Sequence, residues 1–139
     1  MTSPDSAGPS RIRPGAVFAV PAEDVPMPPT KGTRPPRDER WLLIVSTKRD
    51  CRAADCPTVV IVILSAKVEF AGRHDELVRA GDGVQRDSIA QTDLVIFWPK
   101  AELTDARWRG DVMQDTLARV RARLANTIGV AEPAAIGGI

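Results

Sequence analysis

Apolar residues in this chain fall into short blocks, and most of these blocks have the length of β-strands. Runs rich in Val, Ile and Leu occupy residues 15–20, 41–45, 59–64 and 93–98. Branched aliphatic residues in runs of this length are typical of strands that are buried in a sheet. Pro99 follows the last run and is expected to end it, because proline lacks the N–H group that a sheet requires.

Weaker patterns predict three shorter strands between and after these runs. Residues 67–70 alternate between polar and apolar, as the residues of a half-buried strand do. Residues 76–80 form another candidate strand, which ends at a Gly-Asp-Gly turn. Residues 107–112 are interpreted as a short edge strand, and residues 84–92 as a mixed segment.

One helix is predicted near the end of the chain, over residues 114–127. Its apolar positions recur at the spacing of one helix face, and they are Leu117, Val120, Leu124 and Ile128. No alternation of strands and helices occurs, which argues against a doubly wound parallel sheet. The pattern therefore predicts a mainly β (α+β) fold, a small barrel or strongly curved antiparallel sheet with a C-terminal helix.

A length of 139 residues suits one domain. The predicted domain covers residues 12–129. Residues 1–11 are rich in Ser, Pro and Gly and are expected to form a disordered tail, and residues 130–139 are expected to fray. Residues 21–39 hold six of the twelve prolines and have no strand or helix period. A structureless segment of this length inside a domain predicts a mobile loop, a gate or a partner contact.

The stretch from residue 40 to residue 65 organises the predicted sheet. Arg40 precedes one strong apolar run and Ser65 follows the next. If these consecutive strands pair antiparallel, the start of the first lies beside the end of the second. Arg40 and Ser65 would then share one end of the sheet, although each residue alone is an ordinary strand boundary.

The local charge suits one class of ligand, and the absence of known motifs excludes several classes of enzyme. The formal net charge is only +1, but residues 31–52 hold seven basic and three acidic residues, a pattern that suits a phosphate-bearing ligand. No motif of a P-loop, a dinucleotide-binding turn, a zincin or an α/β-hydrolase occurs. His74 is the only histidine, and Cys51 and Cys56 are interpreted as free or incidentally paired thiols, so neither a metal nor a cofactor is expected.

The apolar runs are too short to span a membrane, and the polar N-terminus has no signal-peptide core. These two features predict a cytoplasmic protein.

The order of these pieces resembles the MazF/PemK family of toxin endoribonucleases. RPGAVFAV is similar to the family's opening Pro-x-Gly and strand, and RWLLIVS to its Arg-Pro strand, with Arg40 retained and Trp41 in the proline position. VVIVILS, ending at Ser65, matches the third strand, and RDSI and KAELTD match later blocks. The resemblance covers about residues 12–129.

The resemblance implies an SH3-like barrel fold. It also implies that the protein acts as a homodimer, cuts single-stranded mRNA without a metal and is blocked by a cognate antitoxin. By match to the family, Arg40 would stabilise the charge that grows on the phosphate, Ser65 would donate a hydrogen bond to it, and Asp93 would accept the 2′-OH proton or orient the site. The residues assigned to RNA binding are Lys31, Arg34, Arg37 and Arg86.

One departure from the family and one similarity to another keep alternatives open. The family's Gln-Ile-Arg-Thr block is replaced here by an apolar run, with Ile96 and Phe97 in the arginine and threonine positions. A degenerate member that only binds RNA or a partner is therefore one alternative. A CcdB-like gyrase poison is the other, since the chain ends in Gly-Gly-Ile at 137–139, although the tryptophan of that ending is missing.

Overall fold

The structure, a computed structural model, describes residues 10–26 and 39–130. Six antiparallel strands form a curled half-barrel, and a helix near the C-terminus packs on it. The strands are β1 (Ala16–Pro21), β2 (Glu39–Ile44), β3 (Thr58–Ser65), β4 (Asp75–Val78), β5 (Ser88–Pro99) and β6 (Trp108–Asp111). The helices are α1 (Lys48–Arg52) and α2 (Gln114–Ile128). The strand order across the sheet is β4-β5-β3-β2-β1-β6.

The strands at the centre of the sheet are buried on both faces, which explains their nearly continuous apolar sequences. Successive side chains of a strand point to opposite faces. On one face Phe18, Leu42 and Ile61 belong to a first core cluster, and on the other Val17 and Leu43 belong to a second. All five side chains are fully buried. Because both faces of the sheet are covered, this chain has two apolar layers, one on each side of the sheet.

Helix α2 covers the second cluster and is held at its N-terminus and at its middle. Leu117 and Val120 are buried in that cluster. The Asp82 carboxylate accepts hydrogen bonds from the Met113 N–H, at 2.6 Å, and from the Thr116 hydroxyl, so it caps the positive end of the helix. Arg121 donates to the Val45 and Ser46 carbonyls at 3.0 and 2.9 Å, which ties the helix to the end of β2.

Most of the predicted elements are present, with shifted boundaries. The predicted helix over 114–127 is α2, and the predicted edge strand over 107–112 is β6. The predicted strand 76–80 is β4, which begins one residue earlier and ends two earlier. The run at 93–98 is only the second half of β5, which begins at Ser88 inside the segment interpreted as mixed.

One strand prediction is wrong and one helix was not predicted. Residues Val68–Phe70 form a single 3₁₀ turn rather than a strand, and Phe70 is exposed. The Phe70 and Ala71 N–H groups donate to the Lys67 and Val68 carbonyls at 3.0 and 3.1 Å, so the hydrogen bonds of this segment are local rather than to another strand. Helix α1 is a single turn, started by the Thr47 hydroxyl accepting from the Asp50 N–H, and it is too short to produce a periodic pattern.

The predicted tails and loop lie largely outside the described residues. At the near end of the loop 21–39, Pro21 belongs to β1, Ala22–Asp24 form a 3₁₀ turn and Val25 is buried. At the far end, Glu39 begins β2. Neither helix of the described part has the length and apolarity needed to cross a membrane.

Gly83 is the residue that allows the turn between β4 and β5 to lie against β6. Its φ is +75°, and an added Cβ would lie 2.7 Å from the Asp111 carbonyl carbon. We expect Gly83→Ala to destabilise the fold by at least about 1 kcal/mol, since backbone strain and a backbone clash act together. Chemical denaturation measures the change in unfolding free energy.

Gly81→Ala is the matched control for this prediction. Gly81 has a similar φ of +91°, but its added Cβ would meet nothing within 4 Å. The difference between the two variants isolates the clash with β6. Equal losses of stability would contradict the close approach of the turn to β6.

Candidate active site

A cavity lies at the end of the sheet where β2 begins and β3 ends. Trp41 is the register partner of Leu64, so the preceding Arg40 lies beside the following Ser65. Both residues line this cavity, whose volume is about 180 Å³. The predicted juxtaposition of Arg40 and Ser65 at one end of the sheet is therefore present, and it results directly from antiparallel pairing of consecutive strands.

Three chain segments form the walls of the cavity. Residues 39–41 come from the start of β2, and residues 64–66 from the end of β3. The third wall consists of residues 84–86 together with Ser88, just before and at the start of β5. Arg86, assigned to RNA binding by sequence, thus lies at the same cavity as Arg40 and Ser65.

The third wall is positioned by backbone contacts and small residues. Gly81 donates its N–H to the Val84 carbonyl at 2.8 Å, and the Ala80 N–H donates to the Asp87 carboxylate at 2.9 Å. Gly110 of β6 passes close to the Gly83 backbone, with no room between them for larger residues. These contacts hold the turn that presents Arg86 to the cavity.

The charge lining the cavity is mainly positive. Arg40 is partly buried and Arg86 is exposed, and each carries a permanently charged guanidinium. The one carboxylate of the wall, Glu39, forms an ion pair with Arg109 at 3.2 Å, so part of its negative charge is already balanced. An anionic group such as a phosphate suits this lining, because guanidinium groups bind it through paired N–H donors.

Two serine hydroxyls of the cavity are oriented by the backbone. The Ser65 oxygen accepts from the Lys67 N–H at 3.2 Å, and so its own O–H points away to another acceptor. The Ser88 hydroxyl donates to the Arg86 carbonyl at 2.9 Å, so its oxygen can still accept. The cavity therefore offers one hydroxyl as a donor and one as an acceptor.

Asp93 lies apart from this cavity. It is exposed in β5, within the irregular stretch where the register of β3 and β5 shifts between Val62 and Ile63. Ser65 instead pairs with Ile89, four residues before Asp93. The extra residues of the bulge displace Asp93 from the place that sequence order suggested. The other predicted RNA-binding residues, Lys31, Arg34 and Arg37, lie outside the described residues.

Four lining residues with polar or aromatic side chains were not assigned to the site from the sequence: Glu39, Trp41, Gln85 and Ser88. Their closeness in sequence to the assigned residues could have indicated them, since two of them flank Arg40 and two lie within two residues of Arg86. Their positions in the sequence alone could not show whether they line the cavity.

The cysteines and the histidine lie elsewhere. Cys51 and Cys56 are free thiols, and burial raises the pKa of the Cys51 thiol, which disfavours its thiolate form. The His74 ring is hydrogen-bonded to the Thr127 hydroxyl at 3.0 Å, between β4 and the end of α2. Within residues 10–26 and 39–130, no group of three or more His, Cys, Asp or Glu side chains is placed to hold a metal ion.

Neither a family model nor a curated protein matches the sequence. Solved structures do match the fold. An endoribonuclease from a mycobacterial species aligns with a TM-score of 0.65 and 19% identity, over 89% of this chain and 97% of that one. An endoribonuclease in complex with its cognate antitoxin, also mycobacterial, gives 0.62 and 20%, over 87% and 98%.

A third match is MazE–MazF from Deinococcus radiodurans, with a TM-score of 0.60 and 13% identity, over 84% of this chain and 94% of that one. At these identities the similarity is one of fold, and it extends over nearly the full length of each of these neighbours. The resemblance found in the sequence is thus confirmed at the level of architecture: this chain has the fold of the MazF-type endoribonuclease toxins.

Proposed function

We propose that this protein is an endoribonuclease that cuts single-stranded RNA at the cavity between β2, β3 and the turn before β5. The observation that carries the proposal is the meeting of Arg40, Ser65 and Arg86 at one cavity. Two arginine cations and a hydroxyl donor suit a phosphodiester, and the fold is one that solved endoribonuclease structures share.

The proposed reaction uses the ribose of the substrate as its nucleophile. The 2′-oxygen loses its proton to solvent water and bonds to the adjacent phosphorus, while the bond from phosphorus to the 5′-oxygen breaks and that oxygen gains a proton from water. The products are a 2′,3′-cyclic phosphate and a 5′-hydroxyl. Negative charge grows on the phosphoryl oxygens during this step, and donors already aimed at them lower the barrier.

The lining residues divide this work among them. The planar fork of Arg40 binds two phosphoryl oxygens and stabilises their developing charge. The Ser65 hydroxyl donates a further hydrogen bond, since its oxygen is already oriented by the Lys67 N–H. Arg86, exposed at the rim, contacts the RNA backbone and supplies affinity. Asp93 has no role in this proposal because it does not line the cavity.

The biological setting that fits this activity is a toxin–antitoxin system in the cytoplasm. One of the structural neighbours is an endoribonuclease bound to its cognate antitoxin, and we propose an antitoxin as a partner of this chain as well. Lys31, Arg34 and Arg37 remain candidates for RNA contacts.

The direct test is incubation of the purified protein with a mixed-sequence RNA, followed by mapping of the new 5′ ends. We expect cuts at a short recurring sequence, with 5′-hydroxyl ends, and the same cutting in EDTA because the nucleophile and the charge stabilisation need no metal. Loss of activity in EDTA would contradict this mechanism. Binding of RNA without any cutting would favour the binding-only alternative.

We also expect a homodimer in solution. The sheet leaves edge strands β4 and β6, and Phe97 of β5 is 74% exposed beside the half-buried Val60, its register partner. A second copy covering such a surface removes apolar area from water. Light scattering at micromolar concentration should give twice the 15.0 kDa mass of the chain.

Phe97→Ser is expected to weaken this dimer. Phe70→Ser is its matched control, since Phe70 is also a strongly exposed phenylalanine but lies in the turn after β3. A monomer at all concentrations, or equal weakening by both substitutions, would contradict this surface as the dimer contact.

A further inference from the structure

The apolar half of the cavity is unexplained by phosphate chemistry. Trp41, Leu64 and Val84 line the cavity in addition to the charged and hydroxyl residues. A site that held only a phosphodiester would gain nothing from a tryptophan ring, because a phosphate is fully polar. We infer that Trp41 forms the stacking wall of a nucleobase pocket, which holds one base of the RNA next to the phosphate bound by Arg40. This inference rests on the proposed function.

Trp41 differs from the other two tryptophans in its surroundings. Trp98 is only 4% exposed within the first core cluster. Trp108 packs against the same cluster, and the Arg11 guanidinium lies 3.8 Å above its ring centre. Trp41 is the tryptophan that lines the cavity.

The ring of Trp41 is also supported from behind. It packs against the second core cluster, to which its cross-strand partner Leu64 belongs. A ring held by packing loses little conformational entropy when a base stacks on it. Base stacking on aromatic side chains is a common means of holding single-stranded nucleic acid, and it is available to every base.

The size and polar groups of the cavity suit a single base. Its volume of about 180 Å³ is below the ~300–1,000 Å³ typical of pockets for drug-sized ligands. The exposed Gln85 amide can both donate and accept hydrogen bonds, and the Ser88 oxygen can accept. These two groups can read the edge of the stacked base, so this pocket would set part of the cleavage sequence.

The test measures whether Trp41 and one particular base depend on each other. The probe is a fluorescently labelled RNA of the mapped cleavage sequence, with 2′-deoxyribose at the cut nucleotide so that it stays intact. A series of such RNAs carries an abasic nucleotide at each position in turn. Affinities for wild type, Trp41→Leu and Trp41→Phe are measured by fluorescence anisotropy, with circular dichroism as the check of folding.

We expect one abasic position next to the cut to weaken wild-type binding by about 5- to 100-fold, as loss of one stacked base does. The same abasic nucleotide should weaken Trp41→Leu by less than about twofold, since its stacking partner is already gone. Trp41→Phe should keep most of the penalty. Gln85→Ala should change the preference among the four bases at that position alone.

Phe70→Leu is the matched control, an exposed aromatic residue that does not line the cavity, and its abasic penalty should equal that of wild type. An abasic penalty in Trp41→Leu as large as in wild type would overturn the inference. If Trp41→Leu does not fold, quenching of tryptophan fluorescence by the RNA tests the inference instead. The quench should be present in wild type and largely lost in Trp41→Phe, and an equal quench in both would overturn the inference.

The two proposals fail in different ways. Cleavage without any Trp41-dependent penalty would refute the base pocket and leave the endoribonuclease standing. If the wild type cuts no RNA, the fluorescence quench is measured with a mixed-sequence single-stranded RNA. A quench in wild type that is largely lost in Trp41→Phe would then refute the endoribonuclease and leave the base pocket standing. Absence of any RNA binding would refute both.

Discussion

Arg40→Ala is expected to lower kcat for RNA cleavage by at least about 100-fold, because one preorganised donor to a developing oxyanion contributes on this scale. Arg40 is the second residue of β2 and lies beside Ser65 across the β2–β3 pair, so its position is set by the sheet rather than by a loop. Single-turnover rates on an RNA of the mapped sequence measure the effect.

Related substitutions separate charge from geometry. Arg40→Lys keeps the charge but loses the planar fork and should recover only part of the rate. Ser65→Ala should lose less than Arg40→Ala, since a neutral hydroxyl is a weaker donor than a guanidinium. Arg52→Ala is the matched control: this exposed arginine lies on α1, beyond the opposite end of β2, and its loss should leave the rate unchanged. Undiminished cutting by folded Arg40→Ala would refute the site.

A single 2′-deoxy substitution at the cut nucleotide is expected to abolish cleavage there, because the nucleophile itself is removed. A protein that activated water instead would still cut this substrate. The measurement is product formation on a chimeric oligonucleotide, resolved by gel, with the 2′-deoxy group moved one position at a time.

The control for this experiment is built into the series. A 2′-deoxy group one nucleotide away on either side should change the rate only modestly, since the attacking oxygen is intact. The cut product should carry a 2′,3′-cyclic phosphate, which mass spectrometry distinguishes from a simple phosphate. Cleavage at the deoxy position, or a product without the cyclic phosphate, would contradict attack by the 2′-oxygen.

The sequence by itself determined the elements whose patterns are local and long. The runs that became β1, β2 and β3 are apolar because both faces of these strands are buried, and such runs stand out without knowledge of their neighbours. The period of α2 is visible for the same reason, because one face covers the second core cluster. The meeting of Arg40 and Ser65 also followed from the sequence, since consecutive strands that pair antiparallel bring these two positions together.

Only the tertiary structure decided the composition of the cavity around that pair. The bulge opposite Val62 and Ile63 shifts the register of β5, which leaves Asp93 exposed and brings Ser88 to the wall. Register at a bulge depends on contacts between distant strands, and no local pattern reports it. The close contact of Gly83 with β6, which presents Arg86, depends on the same distant packing. Trp41 follows Arg40 in the sequence, but only the tertiary structure showed that it lines the cavity together with Leu64 and Val84.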